Sequence, residues 1–134
     1  MSRIHFEHLE DGSVETGGIP VISDVIVTNE NTNESRKIRA ILDTGAPLTE
    51  MPMAIIKSMR LRRKTGSIWY TENGEYIMKT AYHASLSVCE IPSRIKLVIP
   101  SKDGQFRIGR DHLKNTSLML SWVSPDTSRL QGAA

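Results

Sequence analysis

The sequence predicts a mostly β, single-domain protein carrying one or two short helices. Three observations predict it. Runs rich in β-branched and aliphatic residues recur along the chain, separated by Gly, Asn and Pro turns. Asn73-Gly74 stands between two such runs, and Asn-Gly there is the strongest short hairpin signal. Only one stretch of any length, with Met51, Ile55, Ile56 and Met59, has its apolar residues at helical spacing. Strands spaced in this way point to a closed or rolled β structure.

Composition narrows the class. The chain has 134 residues, enough for one domain with one modest core. It is 39% hydrophobic and 24% charged, which argues against disorder throughout. The net charge of +2 is a weak basic bias, concentrated in Arg60-Leu61-Arg62-Arg63-Lys64. A run of that kind can touch phosphates, but it is more often a solvated face, and few aromatic residues lie near it for base stacking. The single cysteine, Cys89, excludes an intramolecular disulfide and lies in an apolar stretch, as a small core residue does. His5, His8, His83 and His112 lack metal-ligand spacing, so neither a metal nor a cofactor is expected. No apolar run is long enough to span a bilayer, and the polar, acidic residues 1–12 do not read as a signal peptide. A cytoplasmic location is the default expectation.

Taken in order, residues 1–18 form a polar segment in which Ile4 and Phe6 alternate with Arg3 and His5, as in a short strand. Residues 19–28 (IPVISDVIVT) read as a strand, 29–35 as a polar turn, and 37–43 (KIRAILD) as the returning strand. Thr44-Gly45-Ala46-Pro47 breaks that strand, and Pro52 is placed for the first turn of the helix. Residues 67–70 and 75–88 are expected as two strands joined through Glu72-Asn73-Gly74. Residues 95–99 and 106–108 are further strands, 111–115 one helical turn, and 117–123 (SLMLSWV) a last strand. Residues 19–123 thus make the domain, and 124–134 a flexible tail.

The segment that carries chemistry is Ile41-Leu42-Asp43-Thr44-Gly45-Ala46. Strand alternation puts Ile41 and Asp43 on one face and Leu42 on the other. Leu42 can therefore anchor the core while Asp43 faces a cleft. Gly45 permits a sharp turn and close backbone approach, and backbone N–H groups in such a turn can hold a carboxylate. By itself Asp-Thr-Gly is weak, since a chain of this length contains it by chance roughly one time in twenty. Its company is more specific: two apolar residues before it, Ala46 and Thr49 after it, then a helical stretch, and far downstream Ile108-Gly109-Arg110-Asp111-His112-Leu113.

That order and spacing resembles the retropepsin family of aspartic proteases, over about residues 19–123. The resemblance implies a closed β-barrel with a flap hairpin, paired as a two-fold homodimer with one active site around two copies of Asp43. It implies that Asp43 is the catalytic aspartate, that Thr44 braces the loop across the dimer, and that Gly45 offers backbone contacts to substrate. Tyr70, Thr71, Glu72, Asn73 and Gly74 would be the flap over the substrate. Ile41, Ala46, Leu48, Glu50, Arg107 and Ile108 would contact it from below. Gly109 and Arg110 would support the floor of the site, and Asp111 and Leu113 would start the helix beneath. Residues 117–123 would be an interface strand, interleaved with the segment 1–18. Retroviral members often carry an acid just after the loop alanine, where Pro47 and Leu48 stand here. Arg110 is therefore expected to lack its usual carboxylate partner. The flap tip has one glycine, Gly74, in place of several.

The implied activity is that of an endopeptidase acting on peptide or protein. Two carboxylates share a proton; one activates water and the other donates a hydrogen bond to the scissile carbonyl. An alternative within the same fold is a silent dimer that binds peptides without cleaving them, against which the intact Asp43-Thr44-Gly45 argues. An alternative from another class is a small basic β-barrel binding nucleic acid through residues 60–64. Within the cleft, strand parity and the resemblance place Glu50 and Arg107 on the pocket wall, where an acid and a base are expected to pair.

Overall fold

The computed structural model describes residues 4–7 and 19–113. The expected last strand 117–123 and the tail 124–134 lie outside the described residues, as does most of the segment 1–18. What is described is mostly β, one domain whose main sheet curls into a half-barrel.

The spine is a long hairpin. Strand β2 (Ile19–Asn29) returns antiparallel as β3 (Glu34–Leu42) through a polar turn. Asn33 closes that turn with a φ of 61°, a conformation that Asn tolerates better than most residues. Asn29 is buried; its Oδ1 accepts the Asn31 N–H and its amide donates to the carbonyls of Met59 and Arg60. It thus ties the turn to the end of the helix α1 (Met53–Ser58). A register shift between Ile22 and Val25 bends β2, as bulges do. This lets its two halves take different partners, β1 (Ile4–Glu7) at residues 19–22 and β8 (Ser85–Val88) at residues 25–28.

The expected single strand 75–88 is three strands. Among the described residues β6 (Glu75–Lys79) pairs only with β5 (Ile68–Glu72), β7 (Tyr82–His83) pairs with β10 (Leu97–Pro100), and β8 pairs with β2. Three different partners cannot be served by one straight strand, and the chain turns at Ala81, which is fully buried. Two short strands had no sequence signal: β4 (Glu50–Met51) and β9 (Ile91–Pro92). The main sheet runs β7-β10-β4-β11-β3-β2-β8-β9, where β11 is Arg107–Ile108. A 3-10 helix, Arg110–Leu113, follows β11 where one helical turn was expected.

The methionine stripe is core. Met51, Ile56 and Met59 are fully or almost fully buried with Ile22, Val25, Val27, Val98 and Ile108. Pro52 stands at the N-cap of α1, one position before the first helical turn; its carbonyl accepts the N–H groups of Ile55 and Ile56. The basic run is split by the buried Leu61, and its backbone bonds to the chain at Ala81 and His83. Cys89 packs against the core, and burial pushes its thiol above the ordinary range, away from nucleophile chemistry. No helix among the described residues is long and apolar enough to cross a membrane.

Candidate active site

The site is built where β3 ends. β3 and β11 run parallel, with Ile41 opposite Arg107 and Leu42 opposite Ile108. The ladder continues past the strand: Ile41 N–H donates to Phe106 O at 2.8 Å and Asp43 N–H to Ile108 O at 3.0 Å. As alternation requires, Leu42 is buried in the core and Asp43 emerges on the opposite face, its side chain 38% exposed. The chain then doubles back, with Ala46 N–H donating to Asp43 O at 3.2 Å. The Asp43 carboxylate is held from within its own loop, Gly45 N–H donating to Oδ1 at 3.0 Å. A side chain at residue 45 would begin 3.3 Å from that same oxygen, so glycine keeps the carboxylate uncrowded.

Beneath the loop lies a closed polar knot. Thr49 is fully buried; its hydroxyl donates to Asp111 Oδ1 at 2.8 Å and accepts Gly109 N–H at 3.0 Å. The Thr49 N–H donates to Asp111 Oδ2 at 3.1 Å, and His112 N–H to Oδ1 at 2.8 Å. Each of these hydroxyl, carboxylate and backbone N–H groups is satisfied by another, which is the condition under which buried polar groups stabilise. Arg110 reaches the loop itself. Its guanidinium donates to Thr44 O at 3.0 Å and its N–H to Ala46 O at 2.9 Å. A carbonyl thus receives the arginine for which no loop carboxylate was expected. Thr49→Val should cost about 2–4 kcal/mol, because it strands Gly109 N–H and takes a donor from Asp111. Thr49→Ser, which keeps the hydroxyl, should recover most of it; urea unfolding of both variants measures the difference.

Asp43 opens into a cavity of about 620 Å³. Besides the loop, it is lined by β4, by the end of β10, by the segment before β11, and by the β5–β6 hairpin. The Asn73-Gly74 turn of that hairpin has φ values of 51° and 81°, the type that matches strand twist. Its register pairs Tyr70 with Ile77 and Trp69 with Met78. Tyr70 and Ile77 therefore share the face that lines the cavity, while Trp69, Tyr76 and Met78 are exposed. Burial, together with Glu72 and Glu50, pushes the Tyr70 phenol up, so it stays protonated as a donor.

Charge in the wall is arranged around Arg107. Its guanidinium grips Asp103 through both oxygens, Nη1 to Oδ1 at 2.7 Å and Nη2 to Oδ2 at 2.5 Å. That grip holds the Asp103 carboxyl down at about 2 and Arg107 firmly charged. The same guanidinium lies 3.9 Å from Asp43 Oδ2 and 3.9 Å from Glu50 Oε1. The expected Glu50–Arg107 pair is thus a loose approach, and the hydrogen-bonded partner is Asp103. Burial pushes the Glu50 carboxyl up, with Arg107 opposing it less strongly.

Asp43, Gly45, Ala46, Leu48, Glu50, Tyr70, Glu72 and Arg107 meet around this one cavity. Ile41 is half-buried beside it, and Thr44 is exposed, turning its carbonyl to Arg110. Thr71, Asn73 and Gly74 are exposed on the outer face and tip of the hairpin. Ile108 is a correction: it is fully buried in the core, because the alternation that turns Arg107 to the cavity turns Ile108 inward. Gly109, Arg110 and Asp111 are all beneath or against the loop. Sequence reasoning missed Ile77 and Lys79, which the two-residue turn places on the Tyr70 side of the hairpin. It also missed Asp103, read only as part of a turn. No family model matches the chain, and none of the curated proteins compared with it matches either.

Proposed function

We propose that the chain is an aspartic endopeptidase of retropepsin type, active as a homodimer in which each copy contributes Asp43. The observation that supports this most is the setting of Asp43. It ends a strand laddered in parallel to β11, its carboxylate is oriented by Gly45 N–H, and it opens into a cavity also lined by a hairpin. An oriented, half-exposed carboxylate at a cavity floor can act on a bound water. The reaction needs a second carboxylate within reach to share the proton. The chain holds one Asp-Thr-Gly, so a second copy related by a two-fold axis supplies it.

On this reading the β5–β6 hairpin is the flap, Tyr70 offers its hydroxyl over the substrate, and the polar knot under Thr49 holds the two loops in register. The half-barrel closes as the dimer forms. The test is incubation of the chain with a peptide library at acidic and neutral pH, with and without a statine-type transition-state mimic. Cleavage stopped by the mimic supports the reading. Absence of cleavage at every pH, or cleavage abolished by a chelator and indifferent to the mimic, refutes it.

The dimer is tested separately. Sedimentation should show a two-copy species wherever activity is present, and a chain ended after Asn115 should lose both the dimer and the activity, since the apolar run 117–123 is then gone. An active monomer at all concentrations would remove the two-fold site.

A further inference from the structure

Resting on the protease reading, the charges of the cavity go further and name a substrate class. Arg107 and Asp103 neutralise each other through two short hydrogen bonds. The hairpin contributes one charge of each sign, Glu72 and Lys79, and Lys102 is exposed. Asp43 belongs to the chemistry. That leaves Glu50 without a hydrogen-bonded cation, Arg107 and Lys102 acting on it only through space. Its backbone is fixed between two strands, paired with Ile99 of β10 on one side and Arg107 of β11 on the other. Its side chain is 30% exposed, and 3.9 Å to Arg107 is too long for a hydrogen bond. Among the described residues none donates a hydrogen bond to its carboxylate. A half-buried carboxylate in that state has lost water and gained only the loose approach of Arg107, and a ligand that brings a donor cation recovers the loss.

We propose that Glu50 is a specificity-determining residue, making the subsite beside Asp43 select a basic side chain, lysine or arginine, next to the scissile bond. Asp103 makes this possible by occupying Arg107, which would otherwise neutralise Glu50 across the wall. The groups facing Glu50 are Arg107 on β11, Asp103 and Lys102 in the segment before it, Asp43 in its loop, and Tyr70 on the hairpin. Because Asp103 titrates only near 2, the clamp on Arg107 stays closed through the acid range. Glu50 titrates above the ordinary glutamate range. The selection for a cation needs its ionised form, so it is present above that pKa and fades as the pH falls through it.

The experiment measures binding of three uncleavable reduced-amide peptides to the full chain. They differ at one residue beside the reduced bond, carrying lysine, norleucine or glutamate. The wild type at pH 7 should bind the lysine peptide about tenfold more tightly than the norleucine peptide, with glutamate weakest, and the ratio should fall toward one in acid. Glu50→Gln should bring the ratio near one at every pH. Asp103→Asn, which frees Arg107 to turn to Glu50, should lower it several-fold; this variant carries the test if Glu50→Gln does not fold. A wild-type ratio at or below one, no binding of any of the three, or a ratio untouched by both substitutions overturns the proposal. Cleavage without a lysine preference would refute this inference and leave the protease reading standing. A lysine preference without any cleavage would refute the protease reading and leave Glu50 as the selector of a basic side chain in a bound peptide.

Discussion

Asp43→Asn is expected to lower peptide hydrolysis on the order of a thousandfold or more, with the fold kept. On the proposed function the loss follows from removing the group that takes the proton from water; positioned acid–base groups contribute roughly 10²–10⁴-fold, and residues acting as a unit fail together. In a two-fold dimer one substitution removes both carboxylates at once. Retention of the fold follows from the loop geometry. Gly45 N–H donates to Oδ1 at 3.0 Å, and an asparagine carbonyl oxygen can accept the same bond. The side chain is half-exposed and its nearest cation, Arg107, is 3.9 Å away and bonded to Asp103. The change in unfolding free energy should therefore stay within about 1 kcal/mol. Steady-state cleavage of a library-derived peptide, beside urea unfolding of the same preparation, reads both quantities. An Asp43→Asn protein that cleaves at the wild-type rate would end the aspartic assignment.

Gly109→Ala is expected to have the largest effect on stability, about 3–5 kcal/mol. A methyl group there would lie 2.6 Å from both the carbonyl carbon and the oxygen of Leu48, and 2.9 Å from Ala46 O. These are backbone atoms and cannot swing aside. The 46–48 segment would have to move outward. That movement would stretch Arg110 N–H to Ala46 O, now 2.9 Å, and Gly109 N–H to Thr49 Oγ1, now 3.0 Å. A domain of this size has only about 5–15 kcal/mol to lose, so the midpoint of urea unfolding should fall sharply. Activity should fall with it even in the fraction that stays folded, since that segment continues the loop of Asp43 and Ala46 N–H bonds to Asp43 O. A Gly109→Ala chain within about 1 kcal/mol of wild type would mean that the loop and β11 do not press together as described.

The first effect rests on a bond within one loop and the second on contacts between segments about sixty positions apart, and this marks how much was legible in the sequence. Alternation about Leu42 puts Asp43 at a surface, because period-two patterning is written in consecutive residues. The hairpin turn at Asn73-Gly74 was legible for the same reason, since only residues tolerant of positive φ fit it. The stripe Met51, Ile56 and Met59 was legible as core because its spacing is local. The strand 75–88 was not read correctly. Its residues look alike in β propensity, and only the positions of β5, β10 and β2 divide it.

By itself, then, the sequence determined the β class, the main hairpin, the helix and the candidate acid, all of which follow from short-range sterics and burial patterns. Tertiary structure alone decided the parallel ladder of β3 on β11, the bracing of Thr49 by Asp111, and the choice of Asp103 over Glu50 as partner of Arg107. Sequence showed an acid and a base on one wall but not which acid comes within hydrogen-bonding distance. That outcome turns on a difference between 2.7 Å and 3.9 Å. It is set by how the segment carrying Asp103 folds back on β11, and no periodicity encodes such a return.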